Sequence, residues 1–359
     1  MALSLPQRLS LRLFSALRRG LDAFRDWLDD RPAVAEWIYP AGQHDYRAHN
    51  GRMFANFHEQ ERMLADRPRM AFYNAAIARH VQPGDRVIDL GTGTGILAAL
   101  AARRGAAQVY AIDHSEILEH ARSLARANRI ENVEFVATHS TEFNLPEPVD
   151  VIVHEQMGDC LFDESMVANV TDLRDRLLKP GGLIVPSVFE LYCEPIKIND
   201  ARLVPFIWEL EVLGYDYASL ERHRPQNPGY YHLVSSDLNL VEHFLGQPEP
   251  LLTIDLNTLQ ESKLPTEIAF TRTVVNPGRM DGYAVFFRAK VDGDLSLSSS
   301  PLDRGRAPHW GFRILRAERM DFAAGDQIDA RLTVERWTTI DTWRWSQSRR
   351  PAGQLSPVG

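Results

Sequence analysis

Val87-Ile88-Asp89-Leu90-Gly91-Thr92-Gly93-Thr94-Gly95 decides how this chain is read. Three apolar residues around one acid make a short buried strand, and three alternate glycines follow without a spacer. Beyond them Gly95–Arg104 has helical spacing. Working outward, strand patterns at Val109–Asp113, Val133–Ala137, Val149–His154 and Gly182–Val185 alternate with helix patterns at Glu116–Asn128 and Val170–Leu178. That alternation predicts an α/β fold with a doubly wound, Rossmann-like parallel sheet. Upstream, 53–80 reads as helix with a break near Pro68, where Asp66 is placed to cap the second segment.

After Pro186 the pattern changes. Leu191–Cys193, Leu251–Leu256, Glu267–Thr273, Tyr283–Val291 and Gln327–Glu335 read as strands of a β-barrel or sandwich. Residues 201–245 interrupt them with Phe206, Ile207, Trp208, Leu210, Leu213, Tyr215 and Tyr217, too apolar for a plain loop. A helical arm inserted to pack on another subunit accounts for this. The domain expectation is therefore 1–50 as an N-terminal helical extension, 51–186 as the first domain, 187–345 as the β-domain with 201–245 as its arm, and 346–359 as a flexible tail.

The 359 residues are 44% hydrophobic and 25% charged, with a formal net charge of −8. This is a globular composition, and its sign argues against nucleic acid as the main partner. Two cysteines, Cys160 and Cys193, give no disulfide framework and suggest a reducing, cytoplasmic setting. No run is apolar enough to span a bilayer, and no membrane association or metal is expected. The N-terminal stripe Leu13, Phe14, Leu17, Leu21, Phe24 and Leu28 fits either an accessory helix or, less well, a membrane-surface helix.

Gly91, Gly93 and Gly95 let the backbone approach a ligand closely, although a tight turn without ligand would use the same residues. Ile96 stands where a dinucleotide loop would have its third glycine, so S-adenosylmethionine fits better than NAD. Asp113 ends the next strand, where an acid can accept hydrogen bonds from ribose hydroxyls. A second loop, His154-Glu155-Gln156-Met157-Gly158-Asp159-Cys160-Leu161-Phe162-Asp163-Glu164-Ser165, follows the fourth strand. Two neighbouring glutamates repel unless a cation lies between them, and a guanidinium is the best match in shape and charge.

These loops resemble the protein arginine methyltransferases over about Phe57 to Glu335. HEQMGDCLFDESM resembles that family's double-glutamate loop, and the resemblance implies that Glu155 and Glu164 grip the substrate guanidinium. Glu61–Arg69 resembles the helix that closes over the cofactor. There Arg69 would pair with the cofactor's methionine carboxylate, and Met63, like Met157, would lie beside the substrate. Asp89, Gly91, Gly93, Gly95, Asp113, Thr141 and Glu142 would complete the S-adenosylmethionine site. Pro308-His309-Trp310 resembles the Thr-His-Trp loop, so His309 would pair with Asp66 to help proton loss and Trp310 would line the substrate channel. The family fold, a cofactor domain plus a β-barrel with a dimerisation arm, implies a homodimer.

The chain departs from the family in places. Asn50-Gly51-Arg52-Met53-Phe54 stands where the family has Tyr-Phe-x-x-Tyr, Gln156 replaces a tryptophan, and Asp159 and Asp163 replace two loop tyrosines. The extra acids fit either a more cationic acceptor, such as free arginine, or ordinary surface substitution. The expected function is methyl transfer to an arginine guanidino group, in a protein, a peptide or a small guanidine. The alternatives are a methyltransferase for another small acceptor and a dimeric interaction scaffold that has lost activity.

Overall fold

The structure is a computed structural model that describes residues 53–354. The expected N-terminal extension lies outside the described residues. From Ala55 onward the chain forms one compact unit. Helices α1 (Phe57–Ala65) and α2 (Arg67–His80) come first. They are separated at Asp66, whose side chain accepts the Arg69 N–H at 2.9 Å. That bond satisfies a first-turn donor, and Pro68 in the same turn lacks the N–H that a helix start would leave orphaned.

Five parallel strands follow: β1 (Arg86–Leu90), β2 (Gln108–Asp113), β3 (Val133–Ala137), β4 (Val149–His154) and β5 (Leu178–Val185). Helices α3 (Ile96–Arg103), α4 (Leu118–Ala127) and α5 (Met166–Leu177) connect them. The order is β3-β2-β1-β4-β5. The chain therefore runs outward from β1 to β3 and then returns to build the other half on β4. The crevice where the direction reverses lies between β1 and β4, whose last residues, Leu90 and His154, are paired in register. Ligands of open α/β sheets bind outside this crevice. The glycine loop and the glutamate loop leave the sheet from these two adjacent strand ends.

The second half of the chain is antiparallel. One sheet holds β6 (Val188–Ile198), β9 (His232–Ser235), β10 (Val241–Phe244), β11 (Leu252–Asp255), β13 (Gly278–Lys290), β14 (Ser296–Ser298) and β15 (Phe312–Phe322). A second holds β12 (Glu267–Thr273), β16 (Gln327–Val334) and β17 (Trp343–Arg350). Where sequence suggested a barrel, the described residues form two sheets without a shared ladder. A buried ion pair joins them: Arg272 on β12 meets Glu194 on β6 at 2.9 Å.

Two expectations are corrected. Residues 201–245 contain no α-helix. They form 3-10 turns at Ile207–Glu209, Ala218–His223 and Pro228–Tyr231 and a small hairpin of β7 (Glu211–Val212) and β8 (Tyr215–Asp216), and then return to the main sheet as β9 and β10. Pro205, Gly214, Pro225, Pro228 and Gly229 explain the lack of helix, since proline removes donors and glycine adds backbone freedom. The expected tail also starts too early. Ser346–Arg350 continue β17, held by Arg349 to Asp326 at 2.7 Å and Arg350 to Asp329 at 2.9 Å.

Candidate functional site

Asp66 is the hinge of the site and is only 2% exposed. One carboxylate oxygen caps α2, and the other accepts the main-chain N–H of His309 at 2.9 Å. The expected Asp66–His309 link is therefore present, but through backbone rather than the imidazole. Burial, with Arg69 and Arg62 nearby, pushes the His309 ring down to about 3. Its Nδ1 is buried without a hydrogen-bond partner. The ring is neutral at physiological pH and is no ion-pair partner for Asp66.

Capping by Asp66 aims Arg69 inward from the first turn of α2. Arg69 is 5% exposed, donates to the Met63 carbonyl at 3.0 Å and meets Glu155 at 2.5 Å. Its Nε is buried with no partner. One turn later, Tyr73 lies under the guanidinium at 5.8 Å and donates to the His154 carbonyl at 3.0 Å. Sequence reading did not single out Tyr73. Its signal was the four-residue spacing from Arg69, which puts both on one helix face.

Glu155 and Glu164 stand at the two ends of the loop after β4. Burial raises the Glu155 carboxyl even though Arg69 opposes the shift. Burial, then Glu155, Asp163 and Asp159, push Glu164 well above the usual carboxylate range. Among the described residues the pair thus has one ion-paired cation, Arg69 on Glu155, and none on Glu164. The loop's backbone is strained to make this shape. Leu161 and Ser165 adopt φ of 76° and 56°, which side chains other than glycine rarely occupy. A Cβ on Gly158 would fall 2.1 Å from Asp163 Oδ1, so a larger residue there must displace the Asp163 carboxylate.

The β-domain closes the loop from the other side. The Trp310 indole N–H donates to the Met157 carbonyl, and Gly311 N–H donates to Asp159 at 2.8 Å. Met63, Met157 and Trp310, expected beside the substrate, are all buried. Their observed contacts hold the loops together. Asp159 and Asp163 lie 3.9 and 3.8 Å from Arg313 on β15. The two extra acids thus share one internal counter-ion, which weakens the charge argument for an unusually cationic acceptor. Arg306 is a further buried guanidinium, bound to the Trp310 carbonyl, with Nε and Nη1 unpartnered.

On the cofactor side, Gly91 and Thr92 donate to the Ile112 carbonyl at 2.9 and 3.1 Å, which pins the loop to β2. Asp113 accepts Gly93 N–H at 2.9 Å and both Ser115 donors. Asp89 accepts Thr92 Oγ at 2.6 Å and Ala98 N–H at 2.9 Å, and burial lifts its carboxyl to about 6. Thr141 and Glu142 form an exposed turn beyond β3, at the same sheet edge as Asp113.

A methyltransferase-domain model matches residues 82–202. Protein arginine N-methyltransferase PRMT10 of Arabidopsis thaliana is 30% identical over 313 residues, covering 79% of this chain and 81% of that one. The solved structure of Arabidopsis thaliana protein arginine methyltransferase 10 superposes with a TM-score of 0.68 at 26% identity, covering 83% and 99%. The Trypanosoma brucei PRMT1 enzyme–prozyme heterotetramer with AdoHcy gives 0.69 at 25% identity, covering 78% and 88%. A parallel sheet with its glycine and glutamate loops side by side, an antiparallel domain behind them, and relatives that match over most of their length lead to one assignment: this chain belongs to the protein arginine N-methyltransferase family.

Proposed function

We propose that the chain methylates an arginine guanidino group of a protein or peptide, with S-adenosylmethionine as donor. One observation carries the reading: the guanidinium of Arg69 is ion-paired with Glu155, while among the described residues Glu164 in the same loop has no ion-pair partner. The pair is built for this chemical group and lacks one. Asp159 and Asp163 share Arg313 as a counter-ion, which favours an ordinary peptidyl arginine as acceptor.

The residues present suit the cofactor. Asp113 uses three hydrogen bonds, which leaves about one acceptor site for a ribose hydroxyl. The unpartnered Nε of Arg69 and the buried, unpartnered Oδ1 of Asp89 are further groups for the donor's polar ends. Gly91, Gly93 and Gly95 form the cradle, and Thr141 and Glu142 stand at the same sheet edge. When bound, the cofactor supplies a methyl group already activated on positively charged sulfur. The protein's task is alignment, which is worth several kcal/mol when reacting atoms are held in line. Glu155 and Glu164 would turn the acceptor so that one nitrogen faces the methyl. They would draw positive charge toward the other nitrogens. The acceptor then loses one N–H proton, and Glu164, whose affinity for protons is raised, is placed to take it. Asp66 positions the closing helix and the His309 loop rather than relaying protons.

Two finer points belong to this proposal. The arm exposes Leu213 at 95% and Tyr215 at 73%, and a cavity of about 280 Å³ lined by Leu64, Ile96, Leu100, Leu124 and Phe135 offers them an apolar seat on a second copy. A homodimer follows. The buried free thiols of Cys160 and Cys193 suit a cytoplasmic setting. Among the described residues no helix is long and apolar enough to cross a membrane.

The test is mass spectrometry of arginine peptides and free arginine incubated with S-adenosylmethionine. The expected product is a guanidine heavier by one methylene, absent in Glu164→Gln. A methyl group found on any other atom would overturn the proposal.

A further inference from the structure

On the β-domain, away from the glutamate loop, lies a cavity of about 540 Å³ between β15 and β17. Both walls are strand edges. β15 pairs with β9 only through Phe312–Leu315, so from Arg316 onward its outer edge has no partner strand among the described residues. Among the described residues β17 pairs with no strand but β16, so its other edge has no partner strand either. The walls present Arg316, Glu318 and Met320 from one side and Arg344, Trp345 and Gln347 from the other. Such edges carry unpaired N–H and C=O groups, and natural proteins usually cover them.

The floor and charge are also specific. Phe206 and Trp208 stack at 4.8 Å between ring centroids, and Tyr231 packs against Phe206 at 5.6 Å. Arg316 lies flat over Phe206 at 3.8 Å and donates to the Val204 carbonyl at 3.2 Å, an arrangement that fixes its guanidinium without a carboxylate. Arg224 covers Trp208 at 5.2 Å and is paired with Glu318 and Glu221. Arg344 is exposed, and no acidic partner is seen among the described residues. With Arg224 already paired to Glu318 and Glu221, Arg316 and Arg344 give this slot its positive charge, in a chain whose net charge is −8.

We propose that the slot between β15 and β17 binds an extended acidic peptide segment of the acceptor protein by strand addition. The segment's main chain would pair with the open edges and bridge the two sheets, its acidic side chains would meet Arg316 and Arg344, and its alternate apolar side chains would lie on Met320 and Trp345. The proposal deepens the arginine methyltransferase reading by naming the acceptor class, and it rests on that reading. The geometry also sets a spacing. Gly311, bonded to Asp159 in the glutamate loop, precedes Arg316 on the same chain by about five residues, or roughly 17 Å of strand. The acidic segment would therefore stand at least about five residues from the methylated arginine.

The test measures binding without cofactor or catalysis, so a chain that failed to methylate arginine would still report on the slot. The probe is a fluorescein-labelled peptide of about ten residues alternating Glu with Val or Phe, read by anisotropy. A lysine-for-glutamate peptide and an acidic peptide N-methylated at alternate backbone positions are compared with it. The acidic peptide should bind. Its affinity should fall about fivefold to tenfold in Arg344→Glu, fall further with salt, and be lost on backbone methylation. Arg103→Glu, on the far helix α3, should not change it. No binding up to about 1 mM, equal binding of the lysine peptide, or unchanged binding in Arg344→Glu overturns the proposal.

Discussion

Neutralising the two loop glutamates one at a time should move stability in opposite directions while stopping the same reaction. Glu155 is the only carboxylate seen paired with the Arg69 guanidinium, 5% exposed, at 2.5 Å among the described residues. Glu155→Gln strands that charge indoors. Breaking a buried pair from one side costs about 3–5 kcal/mol. At about 2–4 °C per kcal/mol for a chain of moderate size, the melting temperature should fall on the order of 10 °C. Glu164 is the reverse case. Burial and then its acidic neighbours, Glu155 first, work against its charge, and Arg69 offsets them only in part. Glu164→Gln removes that repulsion, so stability should hold or rise by about 1 kcal/mol. Both variants should lose turnover by about a hundredfold or more, since each removes charge that orients the acceptor. Thermal unfolding by differential scanning fluorimetry and product mass spectrometry on the same preparations would check this. If both variants lose stability equally, or if Glu155→Gln keeps its melting temperature, the resident ion pair does not have the role assigned to it.

Three further outcomes follow from the geometry. Burial holds the His154 ring down to about 4 against an ordinary 6.5. The unfolded chain then takes up a proton that the folded chain refuses. Stability should therefore fall by about 3 kcal/mol as pH drops from 6.5 to 4, and urea midpoints of His154→Gln should show a shallower pH slope; an unchanged slope would refute the assignment. Gly158→Ala puts a methyl group against the Asp163 carboxylate, which must turn from its place in the loop; turnover should drop about tenfold or more with little change in melting temperature, and wild-type activity would show that the placing of Asp163 does not matter. Leu213→Asp places a charge on the exposed arm and should give monomers in sedimentation experiments with the fold retained; an unchanged dimer would move the interface elsewhere.

What the sequence made legible was the part governed by local rules. Val133–Ala137, Val149–His154 and Glu267–Thr273 were read to the residue because apolar runs bounded by turn residues have few other solutions. The Asp66 cap was legible for the same reason. β15 was missed because Arg313, Arg316, Glu318, Arg319 and Asp321 hide its alternation. Arg316 packs on Phe206 and Tyr230, a contact that hydropathy patterns do not register. β17 was taken for tail because its strand character depends on partners supplied by Asp326 and Asp329, more than twenty residues away in the chain. The site divided along the same line. The glutamates and glycines announce themselves by spacing. That Asp66 reaches His309 through its backbone, that Arg313 serves Asp159 and Asp163, and that Arg69 occupies Glu155 are facts of long-range packing.

The register of Leu90 with His154 has one more consequence. Neighbouring strands are held about 4.8 Å apart by their hydrogen-bond ladder. On the proposed function, the donor cradle and the acceptor grip would hang from the two sides of that single rung. The distance a methyl group must travel would then be set by the sheet rather than by the β-domain. Selectivity for one acceptor or another can then drift through changes in the β-domain, while the reach of the chemistry stays fixed.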